Sequence, residues 1–161
     1  MQSQNCRIPS KVHGYRFRYP LRSFTPSPLP SSVRNILRME GLAIAVVSAV
    51  LYARTGASWW LFAALWLVPD LSMLGYLASP CRGARVYNAF HTYIVPITLG
   101  LLAWLLHARG LVPFALIWIN HIGLDRTLGY GLKYPTGFSW THLGQKASIG
   151  SRLVEGKAGA R

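Results

Sequence analysis

Three of the chain's four acidic residues, Glu40, Asp70 and Asp125, sit inside stretches of otherwise apolar side chains. A carboxylate in hydrocarbon costs roughly 3 kcal/mol on insertion scales, so it marks a working interior. His91 and His121 also lie within apolar stretches, and His107 at the end of one. His121 and Asp125 are four residues apart and would project from one face of a helix; Tyr87 and His91 share that spacing, with Asn88 three residues before His91. Imidazole nitrogens and carboxylate oxygens are ligands of divalent transition metals such as zinc. Asp70, His91, His121 and Asp125 are therefore expected to form a four-ligand metal site, with Glu40 as general base. Arg126, Tyr130, Lys133 and His142 are expected nearer the mouth, where they would meet an anionic headgroup or substrate.

Four apolar segments must position these groups, at residues 36–53, 59–79, 86–107 and about 111–133. Each is close to the roughly 20 residues that a spanning helix needs. The fold expected is all-α: a four-helix transmembrane bundle over residues 34–145, with a disordered basic tail at 1–33 and a cytoplasmic tail at 146–161. The N-terminal tail carries Arg7, Lys11, Arg16, Arg18 and Arg22 among Ser and Pro, a composition that cannot bury apolar surface. Pro69, Pro96 and Pro113 fall in or near the starts of spans, where neighbouring helices can satisfy the freed carbonyls. Ala45/Ala49 and Gly75/Ser79 are small-residue pairs that would let helices approach closely.

The net charge of +13 would fit a nucleic-acid binder if its basic residues clustered on a folded polar surface. They lie instead in the tails and short connections, as the positive-inside rule produces. Both termini are therefore expected in the cytoplasm, in a bacterial inner membrane, with the lipid bilayer as partner and no nucleic acid. Cys6 and Cys81 have no metal-ligand spacing and read as unrelated thiols.

At 1.5 Å per residue, His91 lies roughly 8 Å from the cytoplasmic ends of the helices, Asp70 and Asp125 roughly 12–14 Å, His121 roughly 18 Å and Glu40 roughly 6 Å. All fall in the cytoplasmic half or near the midplane. Other readings of the same residues stand beside the metal: hydrogen-bonded pairs that glue the bundle, or a proton or solute pathway. A carrier built on so few helices would need a homo-oligomer.

The stretches LRMEGLAIAV, SWWLFAALWLVPDLSMLGY, VYNAFHTYIVP and HIGLDRTLGYGLKYPTGFSWTHLG resemble a family of small bacterial integral-membrane proteins grouped only as a domain of unknown function. That resemblance implies four helices and a membrane location, and it implies no activity. A looser likeness to membrane-bound metal-dependent hydrolases rests on Pro69–Asp70 and the later His and Asp residues. The second Asp and following His usual in those enzymes are missing here.

Overall fold

The computed structural model describes residues 11–12, 15–16, 29–134, 140–141 and 143–145. Helix α1 (Ser31–Thr55) ends at Gly56, whose φ of 71° is the left-handed conformation that glycine adopts without strain. The buried Tyr52 hydroxyl donates to the Ser58 carbonyl at 2.6 Å and its ring packs on Trp59 and Phe62, fixing the turn into α2 (Trp59–Leu65). A 3-10 helix, Val68–Leu77, continues that second rod. The third rod is α3 (Pro80–Phe90) followed by α4 (Ile94–Leu105). The fourth is α5 (Val112–Leu128), entered through a short 3-10 turn, Arg109–Leu111. The architecture is an all-α bundle of four rods. Two short antiparallel pairings accompany it, Lys11–Val12 with Tyr15–Arg16 and Trp140–Thr141 with Gly144–Gln145.

Two rods are broken where continuous helices were expected, and proline accounts for both breaks. Pro69 disfavours helical backbone at the residue before it, so the chain after Trp66 tightens into the 3-10 form and the Asp70 N–H bonds back to the Leu67 carbonyl at 3.1 Å. Pro96 would clash with the carbonyl four residues earlier, that of Thr92, in a continuous helix. The third rod therefore stops at Phe90, with His91 as its cap (φ −109°, ψ 18°), and restarts at Ile94, where Pro96 falls in a first turn that needs no N–H from it. The third rod also begins earlier than its hydropathy suggests. Ser79 caps α3 by accepting from the Arg82 N–H at 3.2 Å, so Arg82 and Arg85 belong to a helix and not to a loop. The fourth rod ends five residues before the expected boundary, at Leu128, because Gly129 turns left-handed at φ 85°. Tyr130 N–H then reaches the Asp125 carbonyl at 2.7 Å and Gly129 N–H the Arg126 carbonyl at 3.0 Å, the paired bonds of a Schellman cap.

Ser31–Thr55, Trp59–Leu77 and Pro80–Leu105 are each long and apolar enough to cross a membrane. Their outer surfaces carry Leu77 (86% exposed), Ile94 (72%) and Trp104 (71%), an apolar exterior compatible with a membrane protein.

Rods pack where side chains are smallest. A Cβ added to Gly41 would lie 2.8 Å from the Gly123 carbonyl oxygen, and one added to Gly123 only 2.9 Å from the Ala45 nitrogen. Backbones of α1 and α5 thus touch along Gly41, Ala45 and Gly123, a seam other than the Ala45/Ala49 pair expected. Gly75 of the 3-10 helix meets Gly83 and Val86 of α3 in a similar approach. Asn120 ties the pieces together, donating to the Ala45 carbonyl at 2.7 Å and accepting from Trp66 Nε1 at 3.1 Å.

Cys81 is disulfide-bonded, contrary to the expectation of unrelated thiols; its partner lies outside the described residues.

Candidate metal centre

Each break delivers one group to a common point. The 3-10 turn after Pro69 carries Asp70, and the cap of α3 carries His91. The unbroken α5 supplies His121 and Asp125 from one face. Ligand atoms of all four lie within 4.8 Å of one another.

His91 Nε2 sits 3.3 Å from Asp70 Oδ1, 3.3 Å from His121 Nε2 and 3.6 Å from Asp125 Oδ2. His121 Nε2 sits 3.5 Å from Asp70 Oδ1 and 3.9 Å from Asp125 Oδ2. A tetrahedron whose corners lie 2.0–2.2 Å from a zinc ion has edges of about 3.3–3.6 Å. Five of the six separations fall on or just above that range.

The tautomer of His91 suits the same purpose. Its Nδ1 lies 3.0 Å from the Tyr87 carbonyl oxygen, which can only accept, so Nδ1 carries the proton and Nε2 presents a lone pair to the centre. This is the usual way a metal-binding imidazole is oriented from behind. The Tyr87 ring stacks on His91 at 3.7 Å and 12°, and its hydroxyl donates to Asp125 Oδ2 at 3.4 Å. Trp66 packs edge-on against the His121 ring at 4.9 Å. The two imidazoles, 3% and 1% exposed, are thereby fixed against aromatic rings, one stacked and one edge-on, while Asp125 is 16% and Asp70 36% exposed.

Electron-pair counting makes the centre rich in acceptors. With His91 Nε2 bare and both carboxylates ionised, the only proton the two imidazoles can direct inward is on His121 Nε2. That proton and the Tyr87 hydroxyl are two donors facing a lone pair and two carboxylates, a set of acceptors that one divalent cation would suit.

The remaining expected residues are placed as follows. Arg126 is half-buried, and its Nη2 donates to the His91 carbonyl at 3.4 Å, meeting the backbone oxygen that the helix break leaves open. Lys133 is buried beyond the end of α5, with its ammonium 4.2 Å from the centre of the Tyr87 ring. Burial lowers its pKa to about 8, partly opposed by the carboxylates of Asp125 and Asp70. Asn88 holds that stretch by both amide atoms, accepting from the Lys133 N–H at 2.7 Å and donating to its carbonyl at 2.9 Å. Tyr130 is exposed just past the cap. His142 lies outside the described residues.

Glu40 does not join the four. It is exposed on α1 and lines a separate cavity with Tyr93 and Arg126. The reason is angular: Gly41, the next residue, faces α5, and successive helical side chains diverge by about 100°. The groups missed from sequence are Asn120, Trp66 and Tyr93. Asn120 had a visible signal, a lone amide in an apolar helix one residue before His121.

The family model for a domain of unknown function, DUF4260, matches residues 34–146. The chain belongs to that family. Its matched region contains both broken rods, the glycine seam and all four converging residues. No curated protein and no solved structure matches the chain.

Proposed function

We propose that this chain is a multi-pass inner-membrane protein, with both termini cytoplasmic, that binds one divalent transition metal such as zinc through Asp70, His91, His121 and Asp125 and uses it on a lipid or other amphiphile. The observation that carries the proposal is the set of 3.3–3.9 Å separations among the Nε2 and Oδ atoms of four residues drawn from three rods.

A zinc ion with four protein ligands is closed, and chemistry at it needs one position to open. Asp70 is placed to yield that position. It is the most exposed of the four at 36%, and it stands on a 3-10 turn instead of a full helix. Pro69 beside it borders an apolar cavity lined also by Leu65, Val68, Leu99, Phe114 and Trp118. That wall suits an acyl chain, with its polar end directed at Asp70.

Metal analysis of the full chain, purified in detergent without chelator, tests the reading. About one zinc, manganese or iron ion per chain is expected, falling below about a tenth in His121→Gln. A chain free of transition metal at neutral pH would overturn it.

A further inference from the structure

The stripe of α1 that packs on α5 carries the buried residues Gly41, Ala45, Ser48 and Tyr52, at alternating spacings of four and three. Continued toward the start of the helix, the same stripe holds Arg38 and then Arg34. Helix α5 runs out at this level: it ends at Leu128, and Gly129 turns left-handed. Arg38 Nε donates to the Thr127 carbonyl at 2.7 Å, and a Cβ built on Gly129 would lie 3.8 Å from Arg38 Nε and Nη2. The guanidinium is thus pinned over the last turn of α5, where the negative end of that helix favours a cation. That bond uses one of the five N–H groups of a guanidinium, and the flat Nη1–Nη2 edge bonds to no described residue. Arg34 is half-buried one turn further out, and its side chain bonds to no described residue either. No carboxylate among the described residues pairs with either arginine. Glu40 projects about 200° around α1 from Arg38, and Asp70 and Asp125 are turned into the four-residue centre. Two uncompensated cations therefore line a notch where the packing of α1 on α5 stops.

We propose that this notch binds the phosphate of an anionic phospholipid, which Arg38 meets with its Nη1–Nη2 edge and Arg34 with a second guanidinium. The Nη1–Nη2 edge presents two parallel donors to two phosphate oxygens. A zwitterionic headgroup would bring an ammonium to two cations with no carboxylate beside them, so the notch selects against it. Leu128 and Tyr130, on either side of Gly129, are 55% and 41% exposed and offer the lipid an apolar shoulder. The phosphate sits at the junction of α1 and α5, away from the four converging residues. This lipid is therefore a ligand that ties the two helices together, and not a substrate. The inference rests on the membrane reading above and not on the metal.

The test uses the full chain in nanodiscs holding phosphatidylglycerol and phosphatidylethanolamine in equal amounts, with retained lipid counted by native mass spectrometry. Phosphatidylglycerol should be kept over phosphatidylethanolamine by about tenfold, and Arg34→Gln, which removes no described bond, should cut that ratio about fivefold. Arg38→Lys keeps the charge and loses the flat edge, and it should lower the ratio too. Arg85→Gln, an equal change of charge at an exposed position of α3, should leave the ratio as it was, and so should His121→Gln. Millimolar glycerol phosphate should not displace the lipid. Equal retention of the two lipids, a ratio unmoved by Arg34→Gln or by Arg38→Lys, an equal fall in Arg85→Gln, or displacement by glycerol phosphate would each overturn the assignment. A chain that stays in solution without detergent would overturn the membrane reading itself, and this inference with it.

Discussion

His91 and His121 are buried with their Nε2 atoms 3.3 Å apart, whereas Asp70 is the most exposed of the four converging side chains. Loss of one partner from a buried centre should therefore depend on which one is lost. His91→Ala and His121→Gln should lower metal affinity at least about 100-fold, and Asp70→Asn by about tenfold, as competition with a fluorescent chelator would show. Equal losses at all three positions would remove Asp70 as the yielding ligand. Lys133 makes a pH prediction. Its folded pKa of about 8 lies below the ordinary lysine value of 10.5, so between those two values the unfolded chain binds more protons. Stability should then rise with pH across that interval, and the burial penalty should be fully present below it. Thermal melts of wild type and Lys133→Met should show the difference between them shrinking from pH 8 to pH 10.5. A pH-independent difference would contradict buried charge at that site.

Which residues meet was legible in part because depth along a helix can be counted from sequence. Asp70, His91, His121 and Asp125 were counted at depths of roughly 8–18 Å, all in the cytoplasmic half or near the midplane, and they converge more closely than that spread. Glu40 was counted at roughly 6 Å, close to His91, and does not join them, because depth says nothing about direction around the axis. Gly41 held the directional clue: small residues lie where helices touch, and Glu40 is rotated off that contact. The breaks were harder to foresee. Prolines in apolar spans are tolerated often enough that Pro69 and Pro96 did not of themselves announce a 3-10 turn and a restarted helix, yet those irregularities put Asp70 and His91 in reach of α5. Replacing Pro96 by Ala should let α3 run on through Thr92 and swing His91 off its bond to Tyr87. The expected readout is loss of metal with helical circular dichroism kept or increased. At the seam, Gly123→Leu would force a side chain where Cβ alone would already lie 2.9 Å from the Ala45 nitrogen. Overpacking of this kind costs about 1–3 kcal/mol or more, and an unchanged melting temperature would mean that α1 and α5 are not in backbone contact.

Viewed whole, the bundle divides into two packed pairs. Helices α1 and α5 join along the glycine seam, while the 3-10 helix and α3 join at Gly75 and Gly83. Each pair supplies one aspartate and one histidine, so the metal would bond the pairs to each other. Ligand binding to the folded state alone stabilises by about 4 kcal/mol when its free concentration is 1,000 times Kd. Chelation should accordingly lower the melting temperature of the detergent-solubilised wild type and leave His121→Gln unmoved. The four-rod architecture, the family and the apolar exterior were readable from hydropathy and charge. This pairing was not, because it depends on which small residues face one another.

The Asn88 amide grips the Lys133 backbone from both sides, and its neighbour Tyr87 stacks on His91. The strap that follows α5 is therefore latched one residue from the imidazole's own support. Pulling that strap loose, as Asn88→Ala would do, should admit water to the four-residue centre and to any ion bound there. Solvent exchange at the centre would then quicken with every ligand still in place.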